Sequence, residues 1–299
     1  MMAFSEQETS TEFLMNISVI LTTYNSPEWL EKVLWGFQLQ QDRDFEIIVA
    51  DDGSDESTSQ LLDRIQFNTD LTIQHVWQED DGFQKCRILN KAILRSRGDY
   101  IVMTDGDCIP RSDFVATHRR FARPGYYLSG GYFKLPMDIS KSVSFEDIRS
   151  GKVFSSEWLR KQGLDKGKNT LKLDANGIGS TLLNHLTPTK RTWNGHNASV
   201  HRTHAIRVNG FDERMRYGGQ DCEFGERLRN AGLKARQIRY SAICLHLDHA
   251  RPYRCQESLE RNRSIREHTR RFRVVETPFG IRRLDVDTAQ TPELVSEGA

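Results

Sequence analysis

Short, wholly apolar runs alternate with stretches of helical periodicity through the first third of the chain. Ile17 to Thr22 (ISVILT) is rich in β-branched residues and predicts a buried strand. Leu30, Val33, Leu34 and Phe37 follow at helical spacing. Phe45 to Ala50 (FEIIVA) is a second buried strand, which breaks into Asp51-Asp52-Gly53-Ser54, a turn and helix-start signature. Leu61, Leu62 and Ile65 mark the next helix, and Leu71 to Val76 a third strand. A helix is predicted from about Phe83 to Arg97, with Cys86, Leu89, Asn90 and Ile93 along one side. Tyr100 to Thr104 (YIVMT) is the fourth strand and ends in Asp105-Gly106-Asp107. Apolar strands separated by helices imply an α/β fold with a parallel sheet covered on both faces. In such sheets ligands bind beyond the carboxyl ends of the strands. Three polar clusters stand at those ends: Thr22-Thr23-Tyr24-Asn25, Asp51-Asp52 and Asp105-Gly106-Asp107.

The pattern is less regular from about 135 to 190, where Lys166-Gly167-Lys168-Asn169 and Asn176-Gly177-Ile178-Gly179 read as loops. Order returns near Trp193. Asn197 to His201 is an expected strand, Gln220 to Ala231 a helix, Ala242 to Leu247 a strand, and Arg251 to Arg273 an arginine-rich helix.

Composition narrows the function. Among 299 residues, 42 basic side chains nearly balance 41 acidic ones, so the net charge of +1 exerts no global pull toward nucleic acid. Electrostatic recognition must be local. Hydrophobic residues at 37% supply a sizeable core. The five cysteines are odd in number and none stands at Cys-x-x-Cys spacing, which argues against a disulfide framework and favours a reducing cytosol. No apolar run approaches the ~20 residues of a membrane span. The first residues have no basic start before an apolar stretch, so no signal peptide is expected and residues 1–15 read as a polar, flexible tail.

Asp105-Gly106-Asp107 is the first candidate for chemistry. Two carboxylates around one glycine can reach a common point, and hard oxygen ligands suit Mg²⁺ or Mn²⁺ carrying substrate phosphate. Asp and Gly are also ordinary turn residues; the position at the end of a buried strand beside two other polar ends favours the metal site. In Asp51-Asp52-Gly53-Ser54 one carboxylate could accept hydrogen bonds from a base or ribose hydroxyl, while the group could equally cap the following helix. Asp221 opens a helix after Gly218-Gly219-Gln220, where outward-facing N–H groups favour a carboxylate. Trp193, Asn197 and Tyr217 flank this second centre. Aromatic faces pack against sugar C–H surfaces and amides bridge hydroxyls; core packing is the competing role, as strong for Trp193. The Asn197-Ala198-Ser199 sequon is read as pocket chemistry rather than as a glycosylation site.

Several segments together resemble glycosyltransferase family 2, whose members have the GT-A fold: ISVILTTYN (17–25), IIVADDGS (47–54), DDGFQKCRILNKAI (80–93) and GDYIVMTDGD (98–107). The resemblance continues in GHNASVHR (195–202), NGFDERMRYGGQDCEFGERLRNAG (209–232) and CLHLDH (244–249), a part similar to the C-terminal region of galactosyltransferase-type enzymes. Each motif alone is weak; their order and spacing make the set specific.

The resemblance implies a Rossmann-like, mainly parallel mixed sheet flanked by helices. It divides the chain into a nucleotide-sugar-binding half (16–133), an acceptor-binding and catalytic half (134–250) and a basic C-terminal helix and tail (251–299). Thr22 and Tyr24 would line the nucleotide pocket, and Asp52 would meet the uracil or ribose with Asp51 close by. Asp107 would bind Mn²⁺ or Mg²⁺ directly, and Asp105 the donor ribose or a metal-bound water. Lys85 and Arg87 could bring a cation to the diphosphate or be solvated helix residues. A histidine completes the metal shell in related enzymes: His246 is favoured, with His249 nearer the acceptor or phosphates. Asp221 would be the general base that takes the acceptor proton. Gly219 and Gln220 would touch the acceptor, although the family usually has Glu where Gln220 stands.

The implied activity is inverting, metal-dependent transfer of a hexose or N-acetylhexosamine from a UDP-sugar to a saccharide or lipid-linked glycan, in bacterial surface polysaccharide synthesis. A cytoplasmic location follows. The arginines of 251–273 could clamp donor phosphates, touch anionic lipid at the inner face of the membrane, or form a solvated helix face. A nucleotidyltransferase would carry a Gly-rich phosphate loop after the first strand, where this chain has Tyr24-Asn25-Ser26-Pro27. A non-catalytic carbohydrate-binding module of the same fold is disfavoured by the intact Asp105, Asp107 and Asp221.

Overall fold

The computed structural model describes residues 15–175, 177–190, 192–250 and 254–284. Of the expected tail at 1–15, only Met15 falls within them.

Strands and helices alternate as the hydrophobic pattern requires: β1 (Ile17–Thr23), α1 (Pro27–Gln38), β2 (Phe45–Asp51), α2 (Glu56–Asn68), β3 (Ile73–Trp77), α3 (Lys85–Arg95) and β4 (Tyr100–Asp105). Proline at the first position of α1 needs no N–H there, and its φ suits a helix start. The cap of α2 is Asp55, whose side chain accepts from the Ser57 N–H; neither Asp51 nor Asp52 fills that role. After the Asp-Gly-Asp turn come β5 (Cys108–Pro110), α4 (Phe114–Phe121), β6 (Tyr126–Ser129) and β7 (Gly131–Lys134).

The segment expected to be irregular is a series of short helices instead: α5 (Met137–Ser142), α6 (Phe145–Arg149), α7 (Ser156–Lys161), α8 (Leu171–Asp174) and α9 (Gly177–Leu186), with a 3₁₀ turn at Lys152–Phe154. Gly177-Ile178-Gly179, read as a loop from its glycines, is the first turn of α9. The chain continues through β8 (Ala198–His201), α10 (Arg202–Arg207), α11 (Gln220–Asn230), β9 (Lys234–Gln237), β10 (Ile243–His246) and α12 (Gln256–Arg271).

The large sheet runs β3-β2-β1-β4-β8-β6-β9. β1 to β4 are mutually parallel, β8 is antiparallel to both β4 and β6, and β9 is parallel to β6. The order reverses between β1 and β4, which is the switch point where such sheets open a crevice. A second sheet, β5-β10-β7, stands beside it. Alternate residues of each central strand enter opposite cores. Val19, Leu21, Ile47 and Val49 face the layer of α1 and α2, and Ile20, Ile48 and Ala50 face that of α3.

Asn197 joins the two sheets. It has no exposed surface, and its Nδ2 donates to the carbonyls of Gly131 at 2.7 Å and Ala242 at 3.0 Å. His118 bridges Asn197 Oδ1 and Ser199 Oγ, and burial holds this imidazole neutral, its pKa pushed down to about 4. Asn197 is therefore a structural cross-link, neither a pocket residue nor an open sequon.

A second buried polar link holds α11. Arg227, fully buried, makes a bidentate pair with Glu223 at 2.8–3.0 Å and donates to the Val208 carbonyl. Glu223 also accepts from Thr269 of α12. Glu223→Ala would strand a buried guanidinium, so we expect a loss of about 3–5 kcal/mol of stability in urea unfolding. A loss under about 1 kcal/mol, the range of an exposed pair, would contradict this role.

Candidate functional site

The register of β1 with β4 sets Thr22 beside Asp105, and that of β1 with β2 sets Thr23 beside Asp51. Three strand ends thus lie side by side on one edge. Beyond them opens a cleft of about 770 Å³. Its walls include Thr22, Tyr24, Asp52, Lys85, Asp105, Asp107, Tyr217, Gln220, Asp221, His246 and His249. Asn25, part of the first polar strand end, also lines it, as do Trp29 and Phe83, which the sequence did not mark as site residues.

The Asp-Gly-Asp turn is tight because Gly106 N–H donates to the Thr22 carbonyl at 2.7 Å. A Cβ on Gly106 would lie 2.8 Å from that oxygen, so only glycine permits the approach. Asp105 Oδ1 accepts from Thr22 Oγ1 at 2.9 Å and from Lys85 Nζ at 2.6 Å. Burial disfavours the Asp105 carboxylate, but the Lys85 charge and hydrogen bond outweigh it and hold the group well below the usual range. The reciprocal holds for Lys85. Burial opposes its charge, and the charges of Asp105, Asp221 and Asp107 more than restore it.

Arg87 follows Lys85 by two positions on α3, about 200° around the helix. It does not line the cleft, and its charge acts instead on Glu213 and Lys91. Of the two cations expected near the diphosphate, Lys85 lines the cleft and Arg87 does not.

On the opposite side of the turn, Asp107 meets two histidines. Its Oδ2 lies 2.9 Å from His249 Nε2 and 3.9 Å from His246 Nε2. The two rings stack with centroids 5.6 Å apart. Each Nδ1 lies 2.7 Å from a backbone carbonyl, of Leu247 and of Ala250 respectively. A carbonyl only accepts, so Nδ1 carries a proton in each ring and Nε2 is the nitrogen turned to Asp107. Lone pairs on Nε2 and on a carboxylate oxygen repel unless a proton or a cation lies between them. This donor set fits a divalent cation, with carboxylate oxygen and oriented imidazole nitrogens on one point. Cys108 Sγ is also close, since it, Asp107 and His246 offer atoms within 4.8 Å of one another. Burial and the neighbouring Cys244 push the Cys108 thiol up, and sulfur is a softer donor than Mg²⁺ or Mn²⁺ prefers. All five cysteines are free.

His196 was missed although it lies within the 195–202 motif. It is packed between Tyr132, 4.4 Å away, and His246, 6.5 Å away, centroid to centroid. Burial pushes its pKa down to about 4 against the pull of Asp105, so it is neutral.

Asp52 accepts from Gln78 Nε2 at 2.6 Å and from the Gln84 N–H at 2.9 Å. Burial nevertheless pushes its pKa up to about 6. Asp51 turns away from the cleft. It has no exposed surface, accepts from the Ser54 N–H at 2.8 Å and lies 2.9 Å from His75 Nε2. Its role here is to hold the turn, not to touch a nucleotide. Tyr24 is about half exposed and donates to Asp80 Oδ2 at 2.8 Å.

The facing wall is the start of α11. Gly218 and Gly219 have φ of 104° and 90°, a left-handed region that suits glycine. Their fold-back brings Asp221 to the cleft on the first turn of the helix. Gln220 is nearly buried, and its Oε1 accepts from the Gly218 N–H at 2.9 Å, so it braces this loop. Gly219 is the cap of α11, lies against Arg266, and does not line the cleft. Asn262 of α12 holds the same loop by donating to the carbonyls of Arg216, Tyr217 and Gly218. Tyr217 packs edge-on to Phe83 with centroids 5.9 Å apart.

Asp221 Oδ1 is buried with no hydrogen-bond partner among the described residues, against Gly195. Burial raises its pKa above the carboxylate norm, Lys85 limits the rise and Asp105 adds to it. Trp193 does not reach the cleft. It is fully buried between Tyr127 and Phe224, a core residue. The arginines of α12 also point elsewhere: Arg266 and Arg270 face Glu226, and among the described residues none of that helix lines the cleft.

Among the described residues no helix is long and apolar enough to cross a membrane. Residues 18–134 match the family model described as Glycosyl transferase family 2. The chain is 29% identical over 272 residues to the uncharacterized glycosyltransferase YfnE of Bacillus subtilis, covering 81% of this chain and 67% of that protein. It is 26% identical over 233 residues to a chondroitin synthase of Escherichia coli, which covers 74% of this chain but only 33% of the synthase. A mannosyltransferase of Pyrobaculum calidifontis, solved with GDP-Man and Mn²⁺, superposes with a TM-score of 0.54 at 20% identity over 81% of this chain and 59% of that one. Residues 1–349 of TarS from S. aureus, solved with UDP-GlcNAc, give 0.54 at 14% identity over 91% and 70%. The structural likenesses carry the fold, the sequence likenesses the reaction class. The chain is thus a glycosyltransferase of GT-A fold, with its segment 18–134 matching the family 2 model.

Proposed function

We propose that the chain transfers a hexosyl or N-acetylhexosaminyl group from a UDP-sugar to a hydroxyl of a saccharide or lipid-linked glycan, with inversion at the anomeric carbon. The observation that carries this reading is the pairing, across one cleft, of a cation-binding Asp107–histidine cluster with an unpartnered, buried Asp221 oxygen.

Tyr24 and Asp52 lie where a base and ribose would enter, and Lys85 offers a fixed positive charge for a diphosphate. Asp107, with His246 and His249, would hold Mn²⁺ or Mg²⁺, and such an ion supplies positive charge for the departing diphosphate. Asp221 takes the proton of the attacking hydroxyl. Its raised pKa makes it a stronger base than an ordinary carboxylate, and burial has already removed much of its hydration. One displacement from the face opposite the leaving group inverts the anomeric centre. The place of Asp221 on the cleft supports placing the acceptor on this wall, beside Tyr217 and Gln220. The relative named for chondroitin synthesis supports a polysaccharide product. A cytoplasmic site of action follows from the nucleotide-sugar donor.

The deciding experiment measures UDP release from a panel of UDP-sugars, with GDP-mannose as the control donor, in Mn²⁺ and in chelator. UDP release that needs the metal and rises with a saccharide acceptor supports the reading, and release from GDP-mannose alone would overturn the choice of donor.

Three variants separate the roles. Asp221→Asn should lower turnover by roughly 10²–10⁴-fold and leave UDP affinity unchanged by calorimetry; near-normal turnover would remove Asp221 as the base. Asp107→Ala should abolish the Mn²⁺-dependent part of UDP binding, and an unchanged metal dependence would refute its role as ligand. For Asp52, ionisation is complete only above about pH 6. Below that pH it carries a proton and loses acceptor strength toward N–H or O–H groups of the nucleotide. UDP affinity of the wild type relative to Asp52→Asn should therefore fall as pH drops from 7.5 to 5, whereas a constant ratio would place Asp52 outside the nucleotide contacts.

A further inference from the structure

α9 is an amphipathic helix mounted the wrong way round. A surface helix of a globular protein buries its apolar stripe and exposes its polar one. In α9 the polar side is the attached side: Ser180 Oγ lies 3.0 Å from Ser241 Oγ, and Asn184 donates to Ser241 Oγ at 2.8 Å and accepts from the Tyr240 N–H at 2.9 Å. Ile178, Leu182 and Leu186, four residues apart and so on one stripe, are 90%, 56% and 67% exposed. Leu171 of α8 adds a further exposed leucine.

The surrounding charge identifies the cover. Residues 160–192 contain seven Lys or Arg and two Asp, in a chain whose overall net charge is +1. From Ala175 to Phe211 there is no acidic residue. Lys166 and Lys190 are exposed, while Lys161 pairs with Glu157 at 2.7 Å. An outward apolar stripe on a cationic stretch of chain matches an acyl layer beneath anionic headgroups, where the leucines enter the layer and ammonium groups stay at the phosphates.

We propose that α8 and α9 form a docking surface for an anionic lipid bilayer. The surface adjoins the cleft. Lys172 of α8 donates to the Tyr132 carbonyl at 3.2 Å, and the Tyr132 ring stands 5.9 Å from that of His246. Docking through this surface brings the histidine side of the cleft close to the headgroups, where a lipid-linked hydroxyl would be offered. The membrane contact expected of the C-terminal arginines is thereby assigned to a different element.

Vesicle flotation tests this directly, with vesicles of phosphatidylcholine alone and of phosphatidylcholine with phosphatidylglycerol at two to one. The full chain should float with the anionic vesicles and not with the neutral ones. Ile178→Ser, at a site too exposed to matter for folding, should reduce flotation, and Ile178→Ser with Leu182→Ser and Leu186→Ser should lower it about tenfold or more with an unchanged unfolding temperature. Lys166→Glu with Lys190→Glu should weaken it as added salt does. Equal flotation of the wild type and the triple variant would overturn the proposal. So would a wild-type dimer in sedimentation velocity that the triple variant breaks, combined with no vesicle binding; the stripe would then join two copies of the chain. Vesicle binding does not use the transfer reaction, so it can fail while UDP release stands, and the reverse.

Discussion

The cleft depends on an enclosed cation, Lys85. Asp105, Asp107 and Asp221 face a common space from which water is partly excluded, and in such a medium neighbouring carboxylates cannot all stay ionised by themselves. Lys85 offsets them. Its ammonium lies 2.6 Å from Asp105 and acts on the charges of the other two. The reach of that side chain depends on α3 beginning directly after the Gly82 turn, and the position of its partner depends on the pairing of Thr22 with Asp105 between β1 and β4. Sheet register, helix start and site electrostatics are therefore a single arrangement.

That arrangement explains how similar carboxylates acquire different chemistry. Asp105 receives the Lys85 and Thr22 hydrogen bonds, and these overcome burial and keep it anionic. Asp221 feels the same lysine only at a distance, has an oxygen with no partner among the described residues, and becomes more basic. Asp52, braced by neutral donors, is pushed up to about 6 by burial. Groups driven apart by their surroundings can take different tasks: a fixed charge at the strand end, a proton acceptor at the helix start.

How much of this was legible in the chain depended on range. The strands β1, β2 and β4 and their polar ends followed from local runs of apolar residues, because a buried parallel strand must be apolar on both faces. Asp52, Asp105, Asp107 and Asp221 could be found on that basis with the motif resemblance. Depth could not. Trp193 and Asn197 stand in a motif beside the cleft, but whether they face it is set by packing against Phe224 and by the carbonyls of Gly131 and Ala242, distant in sequence. Lys85 and Arg87 differ only in helix phase, which depends on where α3 begins. In α9 the glycines hid a helix, and its stripe at 178, 182 and 186 pointed away from the protein, opposite to the usual assumption of pattern reading.

The two walls of the cleft are also built on different principles. One wall is made of strand ends, whose relative positions are fixed by backbone pairing along β1, β2 and β4. The facing wall is a two-glycine loop and a helix start, which have no such ladder. It is held from behind: Asn262 of α12 takes the three carbonyls of Arg216, Tyr217 and Gly218, and Gln220 closes the loop on itself. The carboxamide of Gln220 is committed to that brace, and Asp221 is the carboxylate of this helix start that lines the cleft with Lys85. The arginines of α12 serve the same end through Glu226. The geometry of this wall thus rests on side-chain contacts from a C-terminal helix, whereas that of the strand ends rests on the sheet. Substitutions on the outer face of α11 or α12 would move Asp221 relative to strand ends that stay in place.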